Sequence, residues 1–269
     1  MLAPLPTLNP LVDWLTTTDI PITWLIPDLV PQDYLITLIA GEGAGKSTLA
    51  YALSMALAAG EPVLGRRPPV PRPVLYFDCE NSLPDAMAYA RRTWIGFGRP
   101  SLDLLGQHLW IDHFSLGGPD WPKRVTERVL AVHPALIVCD TAISCFPPLT
   151  TKGEDDNADA IRTINKLREI SRLVVPHASV LILKHAKVFP VGVQEYDLRG
   201  AKAWKGAADS VLFLVKNPGR ASSGGHTTRL FPLKPRAYGL QEELHITPTW
   251  LEERHGLRLD VREQENCAG

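Results

Sequence analysis

The sequence predicts an α/β fold in which a mostly parallel central sheet is flanked by helices and antiparallel strands are added toward the C-terminus. Three observations predict it. Short apolar runs at 34–39, 74–78 and 135–140 alternate with helical segments through the first half of the chain, the pattern of βαβ units. The first run passes into a helix through a glycine-rich turn. Beyond residue 210 the apolar runs follow one another with only loops between them, as antiparallel strands do.

Each element has its own signal. Residues 1–33 carry many prolines and scattered apolar residues such as Trp14, Trp24, Leu25 and Ile26, and read as an irregular lead-in packed on the core or on a neighbouring subunit. The run Tyr34-Leu35-Ile36-Thr37-Leu38-Ile39 is a buried strand, and the Ala- and Leu-rich residues 49–59 are a helix that Gly60 closes. Five prolines and two adjacent arginines make 61–73 a loop. A strand follows at 74–78, then a helix within 81–97 with Pro84 near its start, a short strand at 109–111, a helix at 121–131 and a strongly apolar strand at 135–140. Residues 141–157 form a long loop with an acidic tip, and the spacing of Ile161, Ile164, Leu167 and Ile170 predicts a helix over 158–173. A strand at 179–183, a polar loop at 188–204, a strand at 210–215, a hairpin loop at 216–227, a strand at 228–233 and short antiparallel strands within 244–259 complete the order. The organisation expected is the lead-in, one domain over 34–260 and a flexible tail at 261–269.

A chain of 269 residues with 45% apolar content can bury one large core, which excludes a disordered protein. A formal net charge of −1 gives no whole-chain attraction to nucleic acid or to an anionic membrane, so such a contact needs a local patch. Cys79, Cys139, Cys145 and Cys267 lack zinc-site spacing. They read as reduced thiols, two of them in buried strands, and the expected location is cytoplasmic. No apolar run approaches the ~18 residues of a spanning helix, and neither a membrane segment nor a signal peptide is expected.

The chemistry starts at Ala40-Gly41-Glu42-Gly43-Ala44-Gly45-Lys46-Ser47-Thr48. Strand, glycine-rich turn and Lys-Ser at a helix start are the context of a phosphate-binding P-loop. Glycines let successive N–H groups of Gly41, Glu42, Gly43, Ala44 and Gly45 face an anion, and the helix N-terminus adds its own unpaired donors and positive pole. Lys46 would reach the β- and γ-phosphates of ATP, and the Ser47 hydroxyl would hold Mg²⁺. Ala40 stands where the motif usually opens with glycine. An ordinary glycine-rich turn is the alternative.

Hydrolysis also needs a metal-holding carboxylate and a group that orients water. Asp140 ends an apolar strand, the Walker B arrangement, and would face Mg²⁺; a turn or cap aspartate is the alternative. Glu80 ends the strand after the P-loop helix, placed to polarise an attacking water; a solvated turn carboxylate is the alternative. His185, in Lys184-His185-Ala186-Lys187 after the next strand, is a candidate sensor of the γ-phosphate, or a turn residue. Between 199 and 236 lie eight Lys/Arg and one acid, Asp209. That local basic excess suits phosphates, of ATP in trans or of a nucleic-acid backbone, or else a solvated surface.

Together these residues resemble the RecA-like ATPases, and among them the RepA-type hexameric replicative helicases of plasmids and mobile elements. The resemblance runs from about Trp24 to Gly239. It is carried by Trp24-Leu25-Ile26-Pro27, by Gly60-Glu61-Pro62-Val63-Leu64-Gly65, by the strand ending at Glu80 and by the Walker B strand with its acidic loop and helix. Arg199-Gly200-Ala201 leading to Ala208-Asp209 is similar to the family's Arg-Gly-Ser segment, and Lys234-Pro235-Arg236 to its Lys-x-Arg element. The resemblance implies that Glu80 is the catalytic glutamate and His185 the sensor, and that Lys234 and Arg236 act in trans on a neighbour's γ-phosphate. The family's paired sensor histidines correspond here to Lys184-His185, and its serine to Ala201.

The function expected is therefore a Mg²⁺-dependent ATPase acting on single-stranded DNA as a ring-forming helicase or translocase. It would be a homo-oligomer, a hexameric ring, with other replication or recombination proteins as further partners. The loops at 145–157 and 188–204 would line the pore, with Lys152, Lys187, Arg199, Lys202 and Lys205 against the DNA backbone. A regulatory or recombination ATPase whose nucleotide state switches a protein contact is the alternative. A small-molecule kinase is a third, but the arginine-bearing lid that it needs is not identifiable.

Overall fold

The computed structural model describes residues 22–113, 118–147, 156–187, 200, 202–217, 226–234, 240, 242–251 and 255–262. Eleven strands are found among them: β1 (Trp24–Ile26), β2 (Val30–Pro31), β3 (Leu35–Ala40), β4 (Val74–Asp78), β5 (Leu109–Asp112), β6 (Leu136–Asp140), β7 (Ser179–His185), β8 (Ser210–Lys216), β9 (Thr228–Lys234), β10 (Leu244–Leu251) and β11 (Gly256–Arg262). The helices are α1 (Lys46–Ala59), α2 (Leu83–Gly96), α3 (Leu102–His108), α4 (Trp121–Val132), α5 (Ala142–Cys145), α6 (Asn157–Ser171) and α7 (Ala203–Gly206).

Nine strands form one sheet in the order β11-β10-β9-β8-β3-β7-β6-β4-β5. From β5 to β8 all neighbours are parallel, and from β8 to β11 all are antiparallel. The α/β class and the antiparallel C-terminal strands are as the sequence predicts. The strand β3 lies at the centre of the sheet, buried along its whole length. Its alternate residues serve two cores: Ile36, Leu38 and Ala40 join one, Leu35 and Ile39 the other. The first core contains α1 and side chains of α2 and α3; the second contains those of α4 to α7.

The helix ends follow the capping chemistry. Gly60 takes φ 69° and its N–H closes α1 on the Ala56 carbonyl. The Ser82 hydroxyl caps α2 by accepting from the Asp85 N–H, and the Asp156 carboxylate caps α6 by accepting from the N–H groups of Ala158 and Asp159.

Some elements differ from expectation. The lead-in is not wholly irregular: β1 and β2 form a small antiparallel ladder, and Leu25, Ile26, Leu29 and Val30 are buried in the chain's own core. The helix α3 is unforeseen; Ser101, which accepts from Leu104 N–H, and the following Asp103 are its start signal. The long loop after β6 opens with the short helix α5, and β11 carries the domain to Arg262, past the expected boundary at 260.

Two glycines set the distance between α2 and β11. A Cβ on Gly96 would lie 2.0 Å from the Leu257 carbonyl oxygen, and one on Gly256 would lie 2.5 Å from Ile95 Cγ2. Only residues without a side chain let the helix and the strand touch backbone to backbone.

Candidate nucleotide site

The turn between β3 and α1 has the predicted P-loop form. Gly43 (φ 66°) and Gly45 (φ 93°) are left-handed, which glycine tolerates without strain. Gly45 is the N-cap of α1, with no side chain covering the helix end, and no acidic residue lies in the first turn. The free N–H groups and positive pole are therefore not neutralised from within. Lys46 opens the helix and is 8% exposed.

The strands on one side of β3 bring three further candidates to this helix end. His185 ends β7, in register with Ala40 at the tip of β3. Asp140 ends β6, and its partner in register on β4 is Asp78, two residues before Glu80. His185 Nε2 lies 3.5 Å from Glu80 Oε1. That hydrogen bond, with others from Thr141 and the nearby charge of Lys46, outweighs partial burial and lowers the Glu80 carboxyl to about 2. Glu80 is thus an ionised acceptor at neutral pH.

Asp140 is the opposite case. It is fully buried. Burial pushes its carboxyl up to about 6, helped by the charges of Asp78 and Glu80, while hydrogen-bonding groups on Tyr76 and Ser47 pull it back. The Tyr76 hydroxyl donates to Oδ2 at 2.7 Å. Oδ1 makes no hydrogen bond, although the Ser47 hydroxyl is near enough to act on the carboxyl. A buried carboxylate oxygen left unpaired is costly unless something positive meets it. A hard oxygen beside a serine hydroxyl is the donor set that Mg²⁺ takes, so Ser47 and Asp140 fit the metal expected there.

Asp78 supports both. Its buried carboxylate accepts from the Tyr51 hydroxyl at 2.7 Å, and from the Asn81 N–H and side-chain amide at 3.1 and 2.9 Å. The turn so formed carries Glu80 between its anchors, and the Asn81 carbonyl is held in turn by His113 Nε2 at 2.7 Å. Tyr51 stacks on Tyr76 with ring centroids 4.4 Å apart, tying α1 to β4. Burial, then the neighbouring aspartates, raises both phenols far above their usual range, so they remain donors.

The fold likeness is to a solved structure: the KaiC-like protein PH0186 from the hyperthermophilic archaeon Pyrococcus horikoshii OT3, at 15% identity and a TM-score of 0.59, with 90% of this chain and 100% of that chain covered. No curated protein matches the chain. The family model described as AAA domain matches residues 3–188. The chain belongs to this AAA domain family. Family and fold make it a RecA-like P-loop ATPase.

The remaining candidates of this AAA chain are spread more widely. Lys187 and Lys202 are exposed and Lys205 is half-buried, the last two at α7. Lys234 Nζ donates to the carbonyls of Gly206 and Ala208 at 2.7 and 2.8 Å, which fastens β9 to the segment before β8. Lys152, Arg199 and Arg236 lie outside the described residues. Asp209, the one acid of the basic region, receives the Leu35 N–H at 3.0 Å and Arg168 at 3.0 Å, and so anchors the start of β3. Among the described residues no helix is long and apolar enough to cross a membrane.

Sequence reasoning misses Thr141, Asp78, Asn81, Tyr51 and Tyr76. The tyrosines had a signal: a phenol in an otherwise apolar run such as Val74–Asp78 needs a buried acceptor, and Asp78 and Asp140 were at hand. Sequence reasoning also misses a cavity of about 210 Å³ on the other side of the P-loop, where Gly43, Thr48 and Leu49 face side chains of β8, β10 and β11.

Proposed function

We propose that the chain hydrolyses ATP with Mg²⁺ and uses the cycle to move along single-stranded DNA as a ring of identical subunits, in the manner of the RepA-type helicases. One observation carries the hydrolytic part: the unpaired Oδ1 of buried Asp140 beside Ser47, with the ionised Glu80 held close by between Lys46 and His185.

In this reading the main chain at 41–45 and Lys46 bind the phosphates, and Ser47 and Asp140 hold Mg²⁺, which screens charge on the phosphate oxygens. Glu80 accepts a hydrogen bond from the attacking water and orients it. With a carboxyl near 2 it works chiefly by position, as proton transfer to so weak a base is uphill. The contact between His185 and Glu80 supports a sensor role, because His185 ends the strand that leads to Lys187 and the proposed DNA loop. Arg236 would act on the neighbouring subunit's nucleotide. The internal hydrogen bonds of Lys234 make it a brace for that element within its own chain.

ATPase assays with and without single-stranded DNA, run beside mass measurement with a nonhydrolysable ATP analogue, test this. The expected result is turnover that DNA stimulates and that needs assembly. Turnover indifferent to DNA removes the motor and favours an ATPase that switches a protein contact. Lys46→Ala is expected to abolish turnover, and retained activity would end the nucleotide reading.

A further inference from the structure

We propose that Cys79 is a modification site: a hydroperoxide oxidises it, Cys145 closes a disulfide on it, and the bond switches off hydrolysis while leaving nucleotide binding in place. The switching half rests on the reading of Glu80 as the group that orients water.

Three thiols meet where the fold brings Glu80 and Asp140 together. Cys79 directly precedes Glu80, and Cys139 directly precedes Asp140. The strands β4 and β6 run parallel, with Phe77 beside Cys139 and Asp78 beside Asp140. The Cys79 N–H continues this pairing beyond β4 by donating to the Asp140 carbonyl at 2.9 Å. Alternate residues of a strand share a face. Phe77 and Cys139 belong to the second core, and Cys79 packs against it. The chain then turns into α5, which sets Cys145 in the same core with its Sγ donating to the Phe77 carbonyl at 3.9 Å. Cys145 is close enough to hydrogen-bond with both Cys139 and Cys79.

Exposure divides the roles. Cys139 and Cys145 are fully buried, and Cys79 is half-buried. Burial, with the two neighbouring thiols, raises the Cys145 thiol well above its usual range. Oxidation follows access and thiolate character, so a hydroperoxide from solvent meets Cys79 first. With hydrogen peroxide, the Cys79 sulfur attacks one peroxide oxygen, the O–O bond breaks, and the thiol proton leaves with the departing hydroxide as water. The Cys145 sulfur then displaces the hydroxyl of the Cys79 sulfenic acid, and its proton leaves with that hydroxyl as a second water. Two thiols are oxidised and one peroxide is reduced to two waters.

The consequence falls on Glu80. A disulfide holds its sulfurs nearer than two thiols in contact, so the turn that carries Glu80 must shift toward α5. A misplacement of about 1 Å in a positioned group costs about 10²-fold in rate. The P-loop helix α1 belongs to the first core, across the sheet from the thiols, so the P-loop itself is not pulled.

The full chain, reduced with dithiothreitol and then treated with hydrogen peroxide, is digested and mapped by mass spectrometry. A linked pair of peptides joined through Cys79 and Cys145 is expected. Linkage through Cys139 or Cys267, or a sulfinic acid at Cys79 without linkage, would overturn the assignment. With the linkage, ATPase activity is expected to fall about 10²-fold while binding of a fluorescent ATP analogue stays within about twofold, and dithiothreitol is expected to restore turnover. Unchanged turnover in the linked chain, or binding lost in step with turnover, would overturn the switch. Cys79→Ala should keep the untreated activity and resist peroxide, as should Cys145→Ala, while Cys139→Ala and Cys267→Ser should respond as the unmodified chain does. If a variant at a buried position fails to fold, Cys79→Ala carries the comparison, and peroxide sensitivity retained in it would overturn the proposal. A reduced chain that neither binds nor hydrolyses ATP ends the nucleotide reading and the switch with it, and the mapped linkage still decides the modification site.

Discussion

Two carboxylates that the fold brings beside the P-loop have been driven in opposite directions. Glu80 is held near 2 by hydrogen bonds and a lysine charge, Asp140 near 6 by burial. For Asp140, whose folded value lies above its ordinary 3.8, the contribution to stability is complete below that value and is lost as pH rises through about 6. At pH 8 the buried charge costs the metal-free protein about 2 to 3 kcal/mol. Asp140→Asn should therefore raise the melting temperature of the metal-free protein at pH 8, with the gain fading toward pH 4, and should abolish Mg²⁺-dependent turnover; thermal unfolding across that pH range reads the first and an ATPase assay the second. Glu80 has the reverse sign: its contribution is full above its ordinary 4.5 and is lost as pH falls toward 2. Glu80→Gln should keep nucleotide binding and lower turnover by about 10²–10³-fold, the lower part of the range for losing a positioned proton-accepting group. Tyr76→Phe leaves Oδ2 of Asp140 without its donor. Its expected effect is a higher Mg²⁺ requirement for nucleotide binding, measured by titrating the metal against a fluorescent ATP analogue.

Between elements, the contact of α2 with β11 is the most exposed to a single methyl group. Gly96→Ala must push the Leu257 carbonyl aside, because its Cβ would lie 2.0 Å away. Overpacking of this kind costs about 1–3 kcal/mol. Gly106 in α3 is the control: a Cβ there meets nothing within 4 Å, so Gly106→Ala should stabilise by about 0.5–1 kcal/mol through helix propensity and the unfolded chain. Urea unfolding of the two variants gives both signs in one experiment. Elements of this kind divide what the sequence discloses from what it hides. Strands β3, β4, β6, β7 and β8 are continuous apolar runs that only a sheet covered on both faces requires, and they are legible as such. The helix α3 is not, because seven residues hold too few apolar positions for a period to emerge.

At the scale of the molecule, the ring reading makes turnover depend on protein concentration. Arg236→Ala should lower ATPase activity while leaving nucleotide affinity in place, and mixing it with Lys46→Ala subunits should restore part of the activity, since each supplies what the other lacks; assays of the mixed and unmixed variants check this. In that reading, DNA binding through lysines such as Lys187 and Lys202 should weaken steeply with salt. The P-loop was legible because glycines, lysine and serine are contiguous in sequence. Glu80, Asp140 and His185 were legible as strand ends. Their supports were not: Tyr51, Asp78 and Asn81 meet only when α1 is laid against β4. The cavity was still less so, because its walls come from residues 43–49, 214, 226–228 and 246–259, which share no local signature.

The central place of β3 bears on how the chain is made. Both neighbours of this strand come late: Leu35 pairs with Val180 and Ile36 with Ser210. A polypeptide emerging from the ribosome has therefore produced its phosphate-binding turn long before anything can flank the strand that presents it. Until about residue 216 has been added, the most apolar strand of the molecule has an open edge, the condition that invites association with other chains. Truncation in the second half should thus yield aggregates rather than a smaller nucleotide-binding module.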